Sequence, residues 1–190
     1  MSDNCLHIVP LHEGDYPDPE RKALELLAWF QERDMVEAEP SDCTLGDPGY
    51  RFKPAITKIA ADAGQVREFF RLDLRTLGLE LHFKGRTIFH PMEGVGAIRM
   101  ICGACGHEHD DGRTGEFLLS WVEARDDCPR CAACGRASHI TTYRFEDTGY
   151  WGFSNLGITL WNFDLDLSAA FLAEMRAIYG TEIRLVHVRI

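Results

Sequence analysis

The sequence predicts an α+β fold in which β-α-β units at the two chain ends form one sheet layer, with a cysteine-rich segment inserted between them. Three observations carry this reading. Apolar residues recur at helical spacing near each end of the 190-residue chain, short apolar runs flank both helical segments, and five of the seven cysteines fall between Cys102 and Cys134. Helical and strand periodicities differ enough to separate the two patterns.

Taken in order, Leu6 to Pro10 is a short strand candidate, and Glu13 to Asp18 is rich in turn formers. Asp18 then reads as an N-cap with Pro19 at the first helical position and Glu20 suited to the helix dipole. Ala23, Leu26, Leu27 and Phe30 give one apolar face to a helix over residues 19–34. Met35 to Glu39 is a second strand candidate ended by Pro40, and Glu39 to Tyr50 is a loop. Leu77, Leu79, Leu81 and Phe83 alternate, Lys84-Gly85 supplies a turn, and Thr87 to Phe89 runs back, which predicts a hairpin. Gln65 to Leu74 fits helix or strand. At the other end, Ile158 to Phe163 reads as a strand. Asp166 or Ser168 caps a helix lined by Phe171, Leu172, Met175, Ile178 and Tyr179, Gly180 ends it, and Ile183 to Ile190 closes the sheet. The main α+β domain is expected to comprise residues 1–96 and 147–190, around an insertion at 97–146.

The composition, 45% hydrophobic and 26% charged, is that of a globular domain. No apolar stretch approaches the ~20 residues of a bilayer span, so no membrane partner is expected. Met1 to Pro10 has no Lys or Arg and resembles neither a secretory signal nor a transit peptide, which predicts a cytoplasmic location. The formal charge of −10 is uneven: residues 1–50 carry −9 (3 basic, 12 acidic), residues 51–90 carry +4 (8 and 4), and residues 91–190 carry −5 (9 and 14). An acidic N-terminal third is a poor phosphate-binding surface.

The cysteines read Cys102-Gly-Ala-Cys105-Gly106 and Cys128-Pro-Arg-Cys131-Ala-Ala-Cys134-Gly135. A Cys-x-x-Cys turn lets two thiolates reach one ion about 2.3 Å from each sulfur, and two such turns complete the tetrahedral shell zinc prefers. On these residues the segment resembles a zinc ribbon over about 97–146. The resemblance implies a structural zinc, with ribbon strands at Ile98 to Ile101 and Ile140 to Phe145. Phe117, Leu118, Trp121 and Val122 are spaced for a short helix covering the ribbon. The second half offers two pairs. Gly135 after Cys134 copies Gly106 after Cys105 and favours Cys102, Cys105, Cys131 and Cys134. Pro129 after Cys128 argues for Cys128 as the alternative ligand.

Other constellations carry less. His107-Glu-His109-Asp110-Asp111 could make a second metal site or a catalytic zinc, but fits better an exposed polar loop closing the ribbon. The remaining histidines, His7, His12, His82, His90, His139 and His187, show no ligand spacing, and no hydrolase or phosphate-loop motif occurs. The aromatic run from Tyr143 to Phe163 suits a joint between the ribbon and the C-terminal unit. The expected function is therefore non-catalytic: a zinc-containing protein-interaction protein, an adaptor or inhibitor using its acidic surface, of which a toxin-neutralising immunity protein is one version. A nucleic-acid-associated ribbon using the basic segment 51–90, with Arg67, Arg71 and Arg75 as a helical stripe, is the alternative. A metal-dependent hydrolase using His107 and His109 ranks third.

Overall fold

The computed structural model describes residues 3–62, 73–91, 99–145 and 151–189. The elements are β1 (Asn4–Pro10), α1 (Pro19–Glu32), β2 (Tyr50–Arg51), a 3-10 helix (Pro54–Ile59), β3 (Gly78–His82), β4 (Thr87–Phe89), β5 (Met100–Ile101) and β6 (Glu108–His109). There follow α2 (Asp111–Leu119), whose end widens into a π-helical turn (Ser120–Ala124), a 3-10 turn (Ile140–Thr142), β7 (Arg144–Phe145), β8 (Gly152–Ser154), β9 (Gly157–Trp161), α3 (Ala169–Tyr179) and β10 (Ile183–Arg189). Helix and strand mix as the α+β expectation requires. The ambiguous stretch Gln65 to Leu74 falls mostly outside the described residues, as do Ile98, Arg67, Arg71 and Tyr150.

Five strands form one antiparallel sheet in the order β10-β1-β9-β3-β2. The first strand of the chain therefore lies between two from its C-terminal segment: Leu6 is opposite His187 on one side and Leu160 on the other. Alternation sends Leu6, Ile8, Ile158, Leu160 and Leu79 to one face, where they pack on Ala23, Leu26, Leu27 and Phe30 of α1 and Phe171, Met175 and Tyr179 of α3. Ser168, the right one of the two cap candidates, accepts a hydrogen bond from the Phe171 amide, and Gly180 ends α3 at φ 71°. Asp18 stands at the N-cap of α1 ahead of Pro19, but it is left-handed (φ 47°) and its side chain caps nothing.

Two strand expectations are corrected. Met35 to Glu39 does not form a strand; it contributes a single bridge, Val36 to Phe52. Met35 and Val36 are buried in the core, whereas Glu37 to Pro40 are exposed and have no apolar side to lay on the sheet, so pairing stops at that bridge. The runs at 78–82 and 87–89 do not form a hairpin with each other. β3 pairs with β9, and β4 pairs with β8. Gly85 is not among the glycines with positive φ, so Lys84-Gly85 lacks the geometry of a two-residue hairpin turn.

Instead, the β3–β9 ladder breaks at residues 83–86 and 155–156, and its two strands resume as β4 and β8 folded over the second face of the sheet. Glycines permit the close approach. A Cβ on Gly157 would sit 2.6 Å from Cζ of Phe89, and one on Gly152 would sit 2.9 Å from Cγ2 of Val9. Residues 99–145 occupy the chain between β4 and β8, so this two-stranded layer is the stalk from which they extend. They contain a three-stranded antiparallel sheet, β6-β5-β7. The second predicted ribbon strand is shorter than Ile140 to Phe145, because Ile140–Thr142 is a 3-10 turn whose Ile140 is fully buried.

A buried arginine ties this region to the main sheet. Arg86, 6% exposed at its side chain, pairs with Asp15 at 2.7 Å and Asp127 at 2.8 Å. It donates to the Trp121 carbonyl at 3.0 Å and lies 4.9 Å from the centre of the Trp121 ring. Replacing Arg86 by Leu puts an apolar side chain against the partly buried Asp127 and leaves Asp15 only its pair with the exposed Arg125 at 3.1 Å. The expected loss is about 2 kcal/mol of unfolding free energy by urea titration. A loss under about 0.5 kcal/mol would mark the clasp as an ordinary surface pair.

Candidate metal centre

The strand–turn grammar of residues 99–145 places four sulfurs together. β5 delivers Cys102, and the extended stretch around the Arg130–Ala137 bridge delivers Cys131. Each cysteine begins a turn with the same hydrogen bonds. The Gly106 amide donates to the Cys102 carbonyl at 2.9 Å and the Gly135 amide to the Cys131 carbonyl at 2.9 Å. The Cys102 amide donates to the His107 carbonyl and the Cys131 amide to the Arg136 carbonyl, at 2.9 and 3.0 Å. Gly106 and Gly135 have φ of 73° and 68°, the left-handed conformation that closes both turns. Gly103 is required for another reason, since a Cβ there would lie 2.6 Å from the Thr142 carbonyl oxygen.

The Sγ atoms of Cys102, Cys105, Cys131 and Cys134 all lie within 4.8 Å of one another, and this is the one such group of potential ligands among the described residues. Cys105 Sγ and Cys131 Sγ are 3.8 Å apart. Two sulfurs at the corners of a tetrahedron about 2.3 Å from a central zinc are separated by about 3.8 Å, so this pair has the spacing that ion needs. All seven cysteines are unbridged, and 3.8 Å is far beyond the ~2.05 Å of a disulfide. A metal ion fits the four sulfurs. Cys128 stands outside the group. It is exposed, its amide is held by Asp126 at 3.1 Å, and Pro129 gives its carbonyl to the Tyr143 hydroxyl at 3.0 Å. Residues 128–130 thus form the approach to the second turn rather than a turn of their own.

The electrostatics of the cage are those of crowded sulfurs. Amides of Cys134 and, secondarily, Ala133 point at Cys131 Sγ and bring that thiol down to about 6. The His107 amide favours the Cys105 thiolate, but desolvation and the three neighbouring sulfurs push this thiol up to about 12. Burial, with the sulfurs behind it, pushes Tyr143 up to about 12. A divalent cation relieves this repulsion. Met100, Phe117 and Tyr143 pack over Cys102 and Cys131, so α2 covers the cage with Phe117. Of the other predicted helix residues, Trp121 is buried in the neighbouring cluster with Ile140, Trp151 and Phe153, whereas Val122 is 39% exposed.

The histidine segment differs from both expectations. Glu108–His109 is a strand rather than a solvated loop, and Asp110 caps α2 by accepting from the Arg113 amide at 2.9 Å. His107 is exposed, but His109 is 2% exposed, edge-on to Phe117 with its centroid at 5.3 Å. Its period-2 pairing with Met100 turns it inward, where it has no open approach for a substrate.

The basic segment is largely neutralised at home. Lys53 pairs with Asp34, Arg75 with Asp42 at 2.7 Å and Lys84 with Asp47 at 2.5 Å, while Arg51 donates to the carbonyls of Leu74 and Arg75. Lys53, Arg75, Lys84 and Arg86 thus pair with Asp34, Asp42, Asp47 and Asp15 of the acidic third, whose charge of −9 still exceeds the +4 of the middle. Sequence reasoning missed the Arg86 clasp and the buried histidines, whose partners are far away in the chain.

No protein-family model matches the chain, and comparison with curated proteins and with solved structures finds no match. Function is therefore read from the chemistry of the site itself.

The positive φ at Gly106 and Gly135 predicts that an alanine at either position lowers stability by about 1 kcal/mol. Gly115, in the middle of α2 with open space around its Cα, supplies the contrast. Gly115→Ala should raise stability by about 0.5–1 kcal/mol. Thermal unfolding of the three variants measures both signs.

Proposed function

We infer that Cys102, Cys105, Cys131 and Cys134 hold one structural zinc ion, with residues 97–146 acting as an inserted zinc-ribbon module. The observation that carries this reading is the convergence of four sulfurs within 4.8 Å of one another, with Cys105 and Cys131 at the 3.8 Å a tetrahedral site requires. Four thiolates leave zinc no open position for substrate or water, which favours structure over catalysis. When bound, the ion supplies folding free energy to strands of only two residues each. The free thiols suit a reducing, cytoplasmic setting.

The protein as a whole acts as a non-catalytic interaction protein, an adaptor or inhibitor, with toxin neutralisation as one version of that role. What supports this is the outer side of α1 and the turn after it. Leu24, 54% exposed, shares its helix face with Glu20 and Arg21, and Glu32, Glu37 and Glu39 are exposed at and beyond the helix end. An exposed apolar side chain beside a run of exposed glutamates fits a partner with a basic, partly apolar surface.

Protein purified without added metal should carry one zinc per chain by elemental analysis. Serine at any of Cys102, Cys105, Cys131 or Cys134 should reduce this well below one and lower the unfolding temperature, whereas Cys128→Ser should retain the full complement. Equal zinc in all five variants would refute the ligand set. For the interaction, capture from native extract should recover a stoichiometric protein whose binding weakens with salt. The triple replacement of Glu32, Glu37 and Glu39 by Lys should weaken it at least tenfold. Recovery of no protein, or binding indifferent to both changes, would remove this role.

A further inference from the structure

The second face of the main sheet carries a polar cluster that the zinc reading does not use. Thr159 of β9, fully buried, bonds two imidazoles through one hydroxyl: His7 Nδ1 of β1 at 2.7 Å and His82 Nε2 of β3 at 2.7 Å. A hydroxyl has one proton, so it donates to one ring and accepts N–H from the other. Two neutral histidines of complementary tautomer satisfy it. Protonating both leaves the hydroxyl proton without an acceptor and places two cations side by side, with ring centroids 6.2 Å apart.

Phe89 of the stalk closes this cluster. Its ring meets His7 at 5.2 Å and His82 at 5.1 Å, edge-on to both, and rests on Gly157. His90, the next residue, packs on Trp151 at 5.3 Å, and its Nδ1 is buried with no partner. The other groups facing the pair are few. β1 adds Cys5, whose sulfur is 3.7 Å from His7 Nε2 and whose thiol burial pushes up to about 12. β3 adds Glu80, already bonded by the Trp161 indole at 2.7 Å and the Asp47 amide at 3.1 Å. Asp47 itself pairs with Lys84, and Arg184 of β10 reaches the Trp151 carbonyl at 2.8 Å. No carboxylate is thus hydrogen-bonded to either imidazole among these contacts.

We propose that His7, Thr159 and His82 form an acid-sensitive latch under Phe89, which holds the β4–β8 stalk on the sheet when both imidazoles are neutral and releases it when they are protonated. The stalk is the root of residues 99–145, so the latch couples the placement of the cysteine cage to pH. The inference is independent of which metal the sulfurs hold.

Burial, then the nearby His82 and His90, brings His7 down to about 3, and burial lowers His82 and His90 as well. The sign follows from linkage. A histidine depressed in the closed form stabilises that form fully above its ordinary value of 6.5 and loses the contribution as pH falls toward about 3. Between pH 7 and 5, His7 alone multiplies the open-to-closed ratio by about 25.

The test is amide hydrogen exchange on the zinc-loaded full chain at pH 7 and pH 5, corrected for intrinsic exchange, with zinc content measured at each pH. Protection at 87–89 and 152–154 should fall at least 25-fold more than in α3. His7→Gln should remove about that factor, and the double change with His82→Gln should leave only the dependence that the buried His90 contributes. In the unmodified chain the His7 imidazole should still be neutral at pH 5 by its NMR shifts, a readout that does not depend on the variants folding. Stalk protection that is constant, or that falls in step with α3, overturns the latch. So does unchanged pH dependence in a folded double variant, a His7 midpoint near 6.5, or zinc loss in proportion to opening, which would assign the change to the sulfurs.

Discussion

Backbone pairing of β1 on both edges organises the rest of the molecule. Seven residues of β1 meet β10 on one side, and four of them also meet β9 on the other. Because β9 and β10 flank the first strand, the chain ends are locked into one ladder whose formation requires contacts across more than 150 residues. α1 and α3 then share the apolar face, since alternation leaves Leu6 and Ile8 no other side to occupy. The opposite face receives Cys5, His7 and Val9 by the same rule, and β4–β8 folds over it.

That second layer explains why an insertion is tolerated there. Strands β4 and β8 are only three residues long, too short to stand alone, and they persist because Phe89 and Gly152 seat them on the sheet. Arg86 adds a second attachment by binding Asp15 beneath and Asp127 and Trp121 beyond. A salt bridge inside such a joint contributes more to fixing one arrangement than to net stability. Beyond the joint, strands of two residues depend on the cysteine turns, and the apolar cluster over Cys102 and Cys131 is small.

Charge tells a related story. Summed along the sequence, the acidic first third looks like a surface built for a basic partner, and the middle looks like a cationic strip. In three dimensions Asp15, Asp34, Asp42 and Asp47 are paired with Arg86, Lys53, Arg75 and Lys84. Four of the twelve acids in the first fifty residues are thus matched by bases of the middle segment, three of the pairs at the surface, and the exposed Glu32, Glu37 and Glu39 are left as the acidic ground of interest.

By itself the sequence determined what depends on local chemistry. Helical spacing placed α1 and α3, Asp166 or Ser168 and Gly180 marked the ends of the latter, and Gly106 and Gly135 marked two matching turns, because each signal lies within a few residues of what it specifies. The same locality made Cys134 preferable to Cys128. Tertiary structure decided everything that depends on distant partners. It turned an apparent hairpin at 77–89 into two strands pairing elsewhere, since alternation reports which face is buried and not which strand lies alongside. It buried His109, paired the acids with the bases, and brought His7, His82 and Thr159 to one hydroxyl. No spacing rule links residues 7, 82 and 159. Only the strand order β1-β9-β3 makes them neighbours.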